Sequence, residues 1–375
     1  MSKSLPVVLA LFVSGLLSSS AHENSLPHHR SVIRANLYSG NTVCRTTPGF
    51  SRLQLELCYR YPEEMLAALQ GIRQAVKECH YQFFNYRWNC SSLSTKTKNP
   101  YTSGIFRKGF RETAFAYAIS SAGIAISVAK SCSRGVLTNC GCEMHQHRHN
   151  NTKGAWKWAG CSHNLHYGSK FSKMFFESKE VNDDIHSQVS LHNSKIGRMV
   201  PKTVFANMQI KCKCHGLSGS CELKTCWKQV PNFHYVGKSL KEKFESAIQV
   251  DQANYFTNRN FKIINYKKKL KQRIKSRQWT PHKKKHKRGL KNNLLFYEKS
   301  PHFCDAAPPL DVWGTSGRLC SLNATDQSSC SSLCCGRGYN LVKQRRTVSC
   351  FCVFRWCCTV ECRDCIEEKW ISICK

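Results

Sequence analysis

The stretch Lys211 to Lys228, KCKCHGLSGSCELKTCWK, holds the residues best placed to do chemistry: four cysteines, one histidine and two serines within eighteen positions. Cys212 and Cys214 precede Cys221 and Cys226, an order that nests one pair inside the other. Joined outer to outer and inner to inner, Cys212 with Cys226 and Cys214 with Cys221, they staple a hairpin at successive rungs, because alternate residues of an antiparallel pair face the same side. The tip is then His215-Gly216-Leu217-Ser218-Gly219-Ser220. Its glycines accept backbone angles that other residues resist, and Ser218 is lifted into solvent.

Such a hydroxyl has several uses. The plainest is a polar turn whose serine bonds its own backbone. A hydrolase using Ser218 with His215 is a second, but the nucleophile elbow wants Gly-x-Ser-x-Gly entering a helix. Position 220 is Ser, and cysteines on both sides leave no room for that helix. A zinc site from Cys212, Cys214, His215 and Cys221 has an unusual ligand spacing and would need reduced thiols.

CKCHGLSGSCELKTCW resembles the serine-acylation motif of the Wnt family of secreted signalling proteins. The resemblance implies that Ser218 is esterified with a monounsaturated sixteen-carbon fatty acid, an O-palmitoleoyl group, by the membrane acyltransferase Porcupine. It also implies Wntless as the carrier during secretion. Beyond that covalent lipid no cofactor is expected, no metal, and no enzymatic activity.

The rest of the chain must export and position this hairpin. Met1 to Ala21 carries Lys3, the apolar run LPVVLALFVSGLL and then Ser19-Ser20-Ala21, the pattern of a secretory signal peptide. The run is shorter than the roughly 20 residues of a membrane anchor. No transmembrane segment is expected later. An even count of 24 cysteines in an exported chain reads as a disulfide framework. A formal charge of +34 calls for acidic partners, and export replaces nucleic acid with sulphated glycans or anionic membrane surfaces.

Tyr61 to Phe84 places Leu66, Leu69, Ile72, Val76 and Cys79 at the spacing of one helical face. It leads into ECHYQFFNYRWNCS, again similar to the Wnt family. Asn89, Asn150 and Asn323 begin glycosylation sequons. Arg111 to Cys132 is apolar nearly all round and rich in Ala, Ser and Gly, which predicts a buried central helix. His145, His147 and His149 alternate in a polar loop and read as solvated rather than metal-binding. Trp156 to Glu180 resembles the family too, but His166 stands where the family carries an acid and adds positive character. Leu191-His192-Asn193 and Gly197-Arg198 resemble another family helix, which leads into the stapled hairpin. A last helix is expected over Val236 to Val250, with Val236, Leu240, Phe244, Ala247 and Ile248 on one face.

Between Lys267 and Lys291, thirteen of twenty-five residues are Lys or Arg and none is acidic, so self-repulsion predicts a linker. Lys267, Lys268, Lys269, Lys283, Lys284, Lys285, Lys287 and Arg288 are its candidate contacts for heparan sulphate. Ser300 to Lys375 holds 12 of the 24 cysteines in 76 residues and few aliphatic side chains, so cross-links worth about 2 to 4 kcal/mol each must hold it. Its cysteine spacing resembles the family's carboxy-terminal domain.

That resemblance implies the pairs Cys304 with Cys335, Cys320 with Cys330, Cys334 with Cys374, Cys350 with Cys365, Cys352 with Cys362, and adjacent Cys357 with Cys358. Upstream it implies Cys79 with Cys90, Cys132 with Cys140 and Cys142 with Cys161; Cys44 and Cys58 are left to each other. SCFCVFRWCCTVECRDC repeats the nested order as a second finger, with Phe354, Trp356, Cys357, Cys358 and Val360 at its tip. Either these side chains fold back as core or they form an apolar docking knob; with little else to pack against, the knob is favoured.

The expected fold is α+β and disulfide-rich: a signal peptide (1–21), a mainly helical N-terminal domain (22–258) with the stapled β-hairpin thumb (211–228), a basic linker (259–299), and a small cystine-rich β-hairpin C-terminal domain (300–375) with the finger (350–365). The Wnt resemblance implies that thumb and finger bind the cysteine-rich domain of a Frizzled receptor, with a low-density-lipoprotein-receptor-related co-receptor bound elsewhere. A disulfide-rich extracellular hydrolase using Ser218 and His215 is the competing class, and a heparin-binding matrix protein without a receptor is a third.

Overall fold

The computed structural model describes residues 42–143, 160–182, 184–206, 210–221, 224–230, 232–252, 261–263 and 290–375. The signal peptide, Asn150, the histidines at 145, 147 and 149, and the eight basic linker positions from Lys267 to Arg288 lie outside the described residues.

The N-terminal part is helical: α1 (Arg52–Arg60), α2 (Pro62–Gln82), α3 (Arg111–Ser133), α4 (Leu165–Lys179), α5 (Ile185–Ala206) and α6 (Phe233–Glu245). Ser51 caps α1 in a reciprocal capping box with Gln54. Pro62 opens α2, where its missing N–H costs nothing. The centre is α3, packed by α2, α4, α5 and α6. Its length and hydropathy would suit a membrane span, yet 89% of that apolar window is buried inside the protein.

Small residues let the other helices close on α3. A Cβ on Gly71 of α2 would strike the Gly123 carbonyl of α3, one on Gly168 of α4 the Ala125 carbonyl, and one on Gly197 of α5 the Ala118 carbonyl. The buried face of α2 accordingly contains Met65, Ala68, Gly71, Ile72, Ala75 and Cys79, while Leu66, Leu69 and Val76 are half-buried. The face expected from large apolar residues alone is therefore rotated, because close approach to α3 favours small side chains over large ones. Serines bridge the seams: Ser121 Oγ donates to the Ser194 carbonyl at 2.7 Å, and Ser172 Oγ to the Ser121 carbonyl at 2.9 Å.

The expected last helix stops at Glu245; β3 (Ile248–Gln252) follows, so Ile248 belongs to a strand. It pairs antiparallel with β4 (Phe261–Ile263) and parallel with β5 (Leu295–Phe296). Leu294 and Leu295 are fully buried. The stretch from 290 to 299, expected as the end of the linker, is thus packed structure, since it supplies apolar side chains and a strand edge to the helical core. Phe303 and Val312 join the same core.

The carboxy-terminal part contains β6 (Leu319–Cys320), the short α7 (Cys330–Leu333), and the long strands β7 (Tyr339–Arg355) and β8 (Thr359–Cys374), in sheet order β6-β8-β7. Its apolar cluster is small, Leu333 with Cys330, Cys334 and Cys374. Arg87 fastens it to the helices, Nε and Nη2 both donating to the Ser332 carbonyl at 3.0 and 2.9 Å. Arg318 reciprocates, donating to the carbonyls of Arg87 and Phe84.

Candidate functional site

The thumb is the antiparallel pair of β1 (Ile210–Cys214) and β2 (Lys224–Lys228), with Cys212 opposite Cys226 and Cys214 opposite Lys224. Disulfides join Cys212 to Cys226 and Cys214 to Cys221. At the tip, a 3-10 turn over Leu217–Gly219 is closed by N–H to carbonyl bonds from Gly219 to Gly216 and from Ser220 to Leu217. Ser218 sits at φ 55° and ψ 25°, a left-handed conformation, and Gly219 follows at φ 76°. The turn lifts Ser218 outward, exposed, and its hydroxyl has no hydrogen-bond partner among the described residues. Leu217 beside it is 95% exposed. The side chain of His215 meets Thr225 Oγ1 at 3.1 Å, so its imidazole is engaged with β2 rather than with Ser218.

The stalk is tied to the core along β2. The Gly160 N–H donates to the Cys226 carbonyl at 3.2 Å, and a Cβ at Gly160 would lie 2.7 Å from that oxygen. Ser162 Oγ accepts the Lys228 N–H, and His163 Nδ1 accepts the Val230 N–H at 3.0 Å. Burial, followed by the charges of Lys130 and Arg134, holds the His163 imidazole down at about 4, so it is neutral and able to accept. The Cys142–Cys161 disulfide braces this segment. Sequence reasoning missed these anchors; the short polar spacing of Gly160, Ser162 and His163 was their only signal.

The finger is the end of the β7–β8 hairpin, with Phe354 opposite Val360 and Arg355 opposite Thr359. Cys350–Cys365 and Cys352–Cys362 staple it, and the register shifts between Cys350 and Val353. Trp356 is 95% exposed, and Phe354 and Val360 are largely exposed too. The bulge adds Phe351 and Val353 to this apolar surface. Neither was singled out from sequence, because a bulge breaks the alternation that assigns a residue to a face.

Eleven disulfides are formed, also including Cys44–Cys58, Cys79–Cys90, Cys132–Cys140, Cys304–Cys335, Cys320–Cys330 and Cys334–Cys374. The expected Cys357–Cys358 bond is corrected: both are free, exposed cysteines in the turn, at φ 74° and 80°. Neighbouring Cα atoms about 3.8 Å apart across a trans peptide fall short of the span a disulfide prefers. Of the sequons within the described residues, Asn323 is exposed, whereas Asn89 is half-buried and its Oδ1 accepts the Ser91 N–H at 3.2 Å.

Two disulfide-stapled hairpins thus project, one from a helical bundle and one from a cystine-rich sheet. A model of the Wnt family matches residues 46–375. The chain belongs to the Wnt family, a family of secreted signalling ligands. A solved complex of human WLS with WNT8A contains a similar chain: 31% identical, TM-score 0.54, covering 83% of this chain and 93% of that one. The N-terminal domain and linker of Drosophila WntD are 21% identical with a TM-score of 0.41, covering 64% of this chain and 98% of that one.

Proposed function

We propose that this Wnt chain is acylated on Ser218 and grips the cysteine-rich domain of a Frizzled receptor with two projections, the lipidated thumb and the apolar finger. The observation that carries this reading is the placement of Ser218: an exposed hydroxyl without a hydrogen-bond partner among the described residues, on a left-handed turn at the end of a doubly cross-linked stalk. A hydroxyl so presented is open to an acyltransferase such as Porcupine. Once esterified, burying roughly fifteen methylenes at about 0.8 kcal/mol each gives a gross gain on the order of 12 kcal/mol, against about 1 for a neutral hydrogen bond. Association and ordering consume much of that figure.

Phe354, Trp356, Cys357, Cys358 and Val360 form the second contact, and a low-density-lipoprotein-receptor-related co-receptor engages another face. The similarity to a chain solved with WLS supports Wntless as carrier. The basic linker binds heparan sulphate outside the cell.

Ser218→Ala removes the attachment atom and leaves both staples, and Ser220→Ala on the same tip is its control. Mass spectrometry of the secreted protein and binding to a soluble Frizzled cysteine-rich domain read the outcome. Loss of the acyl mass and of binding in Ser218→Ala alone is expected. Tight binding by Ser218→Ala, or an acyl group on Ser220, overturns the assignment.

A further inference from the structure

Two disulfides meet at the base of the carboxy-terminal sheet. Cys320 of β6 is joined to Cys330 of α7, and Cys334, which follows α7, to Cys374 at the end of β8. The Sγ atoms of Cys320, Cys330 and Cys334 all lie within 4.8 Å of one another, and those of Cys320 and Cys334, which belong to different bonds, are 3.5 Å apart. Leu333 is the one aliphatic member of this cluster among the described residues, so sulphur packs on sulphur. A metal ion finds no ligand here while both bonds stand, because ligation needs thiolates.

The contact between the two bonds is placed for chemistry. A disulfide is exchanged when a thiolate attacks one of its sulphurs, and reacting atoms held about 3 to 3.5 Å apart are near the attack geometry. Cys320 is half-buried, whereas Cys330, Cys334 and Cys374 are only 6%, 0% and 3% exposed. A reductant from outside therefore meets Cys320 first, and the Cys334–Cys374 bond is shielded from direct attack.

We propose that these four cysteines form a thiol–disulfide exchange site, which takes electrons from an external dithiol at Cys320–Cys330 and passes the break to the carboxy terminus. The dithiol attacks Cys320 Sγ and expels the Cys330 thiolate, then closes into its own cyclic disulfide and releases Cys320 as a thiolate. Two electrons have moved: the dithiol is oxidised and Cys320–Cys330 is reduced. Cys320 Sγ next attacks Cys334 Sγ; the Cys320–Cys334 bond forms, Cys334–Cys374 breaks, and the electron pair leaves on Cys374 Sγ. The two protons of the dithiol end on Cys330 and Cys374.

The second step acts on β8. Its end is also held by backbone hydrogen bonds, the Cys374 N–H donating to the Arg318 carbonyl and the Gly317 N–H to the Cys374 carbonyl, each at 2.9 Å. Those bonds remain after exchange, but the covalent tie from β8 to the α7 segment is gone. The finger at the other end of β8 keeps both of its own staples. The site needs neither acylation nor a receptor.

The test uses the full-length secreted protein with dithiothreitol as the dithiol, added in limiting amount. Free thiols are trapped with N-ethylmaleimide and mapped by peptide mass spectrometry. Label is expected on Cys330 and Cys374, together with a new cross-linked peptide joining Cys320 to Cys334, and hydrogen exchange at the Cys374 amide is expected to rise. Label on Cys320 and Cys330 with Cys334–Cys374 intact overturns the proposal. So does label on Cys334 and Cys374 without the new cross-link. Cys330→Ser is an independent arm: Cys320 then lacks its own partner, so the Cys320–Cys334 bond and a free Cys374 are expected with no reductant added. A Cys330→Ser protein that keeps Cys334–Cys374 beside a free Cys320 refutes the exchange. Where that variant fails to leave the cell, the map of the unaltered protein still decides.

Discussion

Asn193 of α5 makes both hydrogen bonds of its amide to the backbone of Leu295, 102 residues away: Nδ2 donates to the carbonyl and Oδ1 accepts the N–H, each at 2.8 Å. Both residues are buried. The amide acts as a neighbouring strand for β5, which has β3 on its other side. This contact returns the chain to the helical core after the basic segment.

Asn193→Ala would leave the N–H and carbonyl of Leu295 unpaired in the core. Each buried unpaired group costs about 1 to 3 kcal/mol, so a loss of about 2 to 4 kcal/mol is expected. Thermal unfolding of the secreted protein measures it, and hydrogen exchange at Leu295 should rise. An unchanged melting temperature would mean that β5 contributes little.

His163 links stability to pH. An unfolded histidine titrates near 6.5, whereas the native one is held down at about 4, by burial first and then by Lys130 and Arg134. Above pH 6.5 neither state binds the proton. Between 6.5 and 4 only the unfolded chain binds it, so stability falls as pH falls through that window. His163→Gln keeps an acceptor for the Val230 N–H and does not titrate. Its melting temperature should decline less steeply from pH 7 to 4.5; equal slopes would refute this role. Burial also depresses His80 and His192, so the slope should become shallower rather than flat.

Gly197→Ala drives a methyl group into the Ala118 carbonyl where α5 crosses α3. Overpacking of this kind costs about 1 to 3 kcal/mol, and a lower melting temperature with reduced secretion is expected. Gly141→Ala is the control, since its Cβ would meet nothing within 4 Å. Similar behaviour of the two variants would argue against close helix crossing.

Trp356→Ala should leave secretion and melting unchanged, because the side chain is 95% exposed. Binding to the Frizzled cysteine-rich domain should weaken by about 2 kcal/mol, on the order of thirtyfold. Phe351→Ala, on the bulge, should act in the same direction. Retention of Trp356→Ala inside the cell would instead mark the tryptophan as a folding residue.

The sequence alone determined the thumb, the finger and the central helix. Nested cysteines at fixed spacing admit few hairpin registers, and Arg111 to Ser133 is so uniformly apolar and small that only burial suits it. The same locality explains its failures. Periodicity weighs large apolar residues, so it set the face of α2 by Leu66, Leu69, Ile72, Val76 and Cys79; Ile72 and Cys79 are buried, whereas helix crossing at Gly71 and Gly123 leaves Leu66, Leu69 and Val76 half-buried. Charge composition extended the linker to 299, but Leu294 and Leu295 are core, and their backbone is paired by Ile248 and by Asn193, the latter a hundred residues upstream. The Cys357–Cys358 pair shows the converse: the family resemblance implied a bond, while in the left-handed turn both stay free, their neighbouring Cα atoms closer than a disulfide prefers. Local spacing fixes what a segment can form; which of its faces is buried depends on partners far away in the chain, and those are set only when the whole core closes.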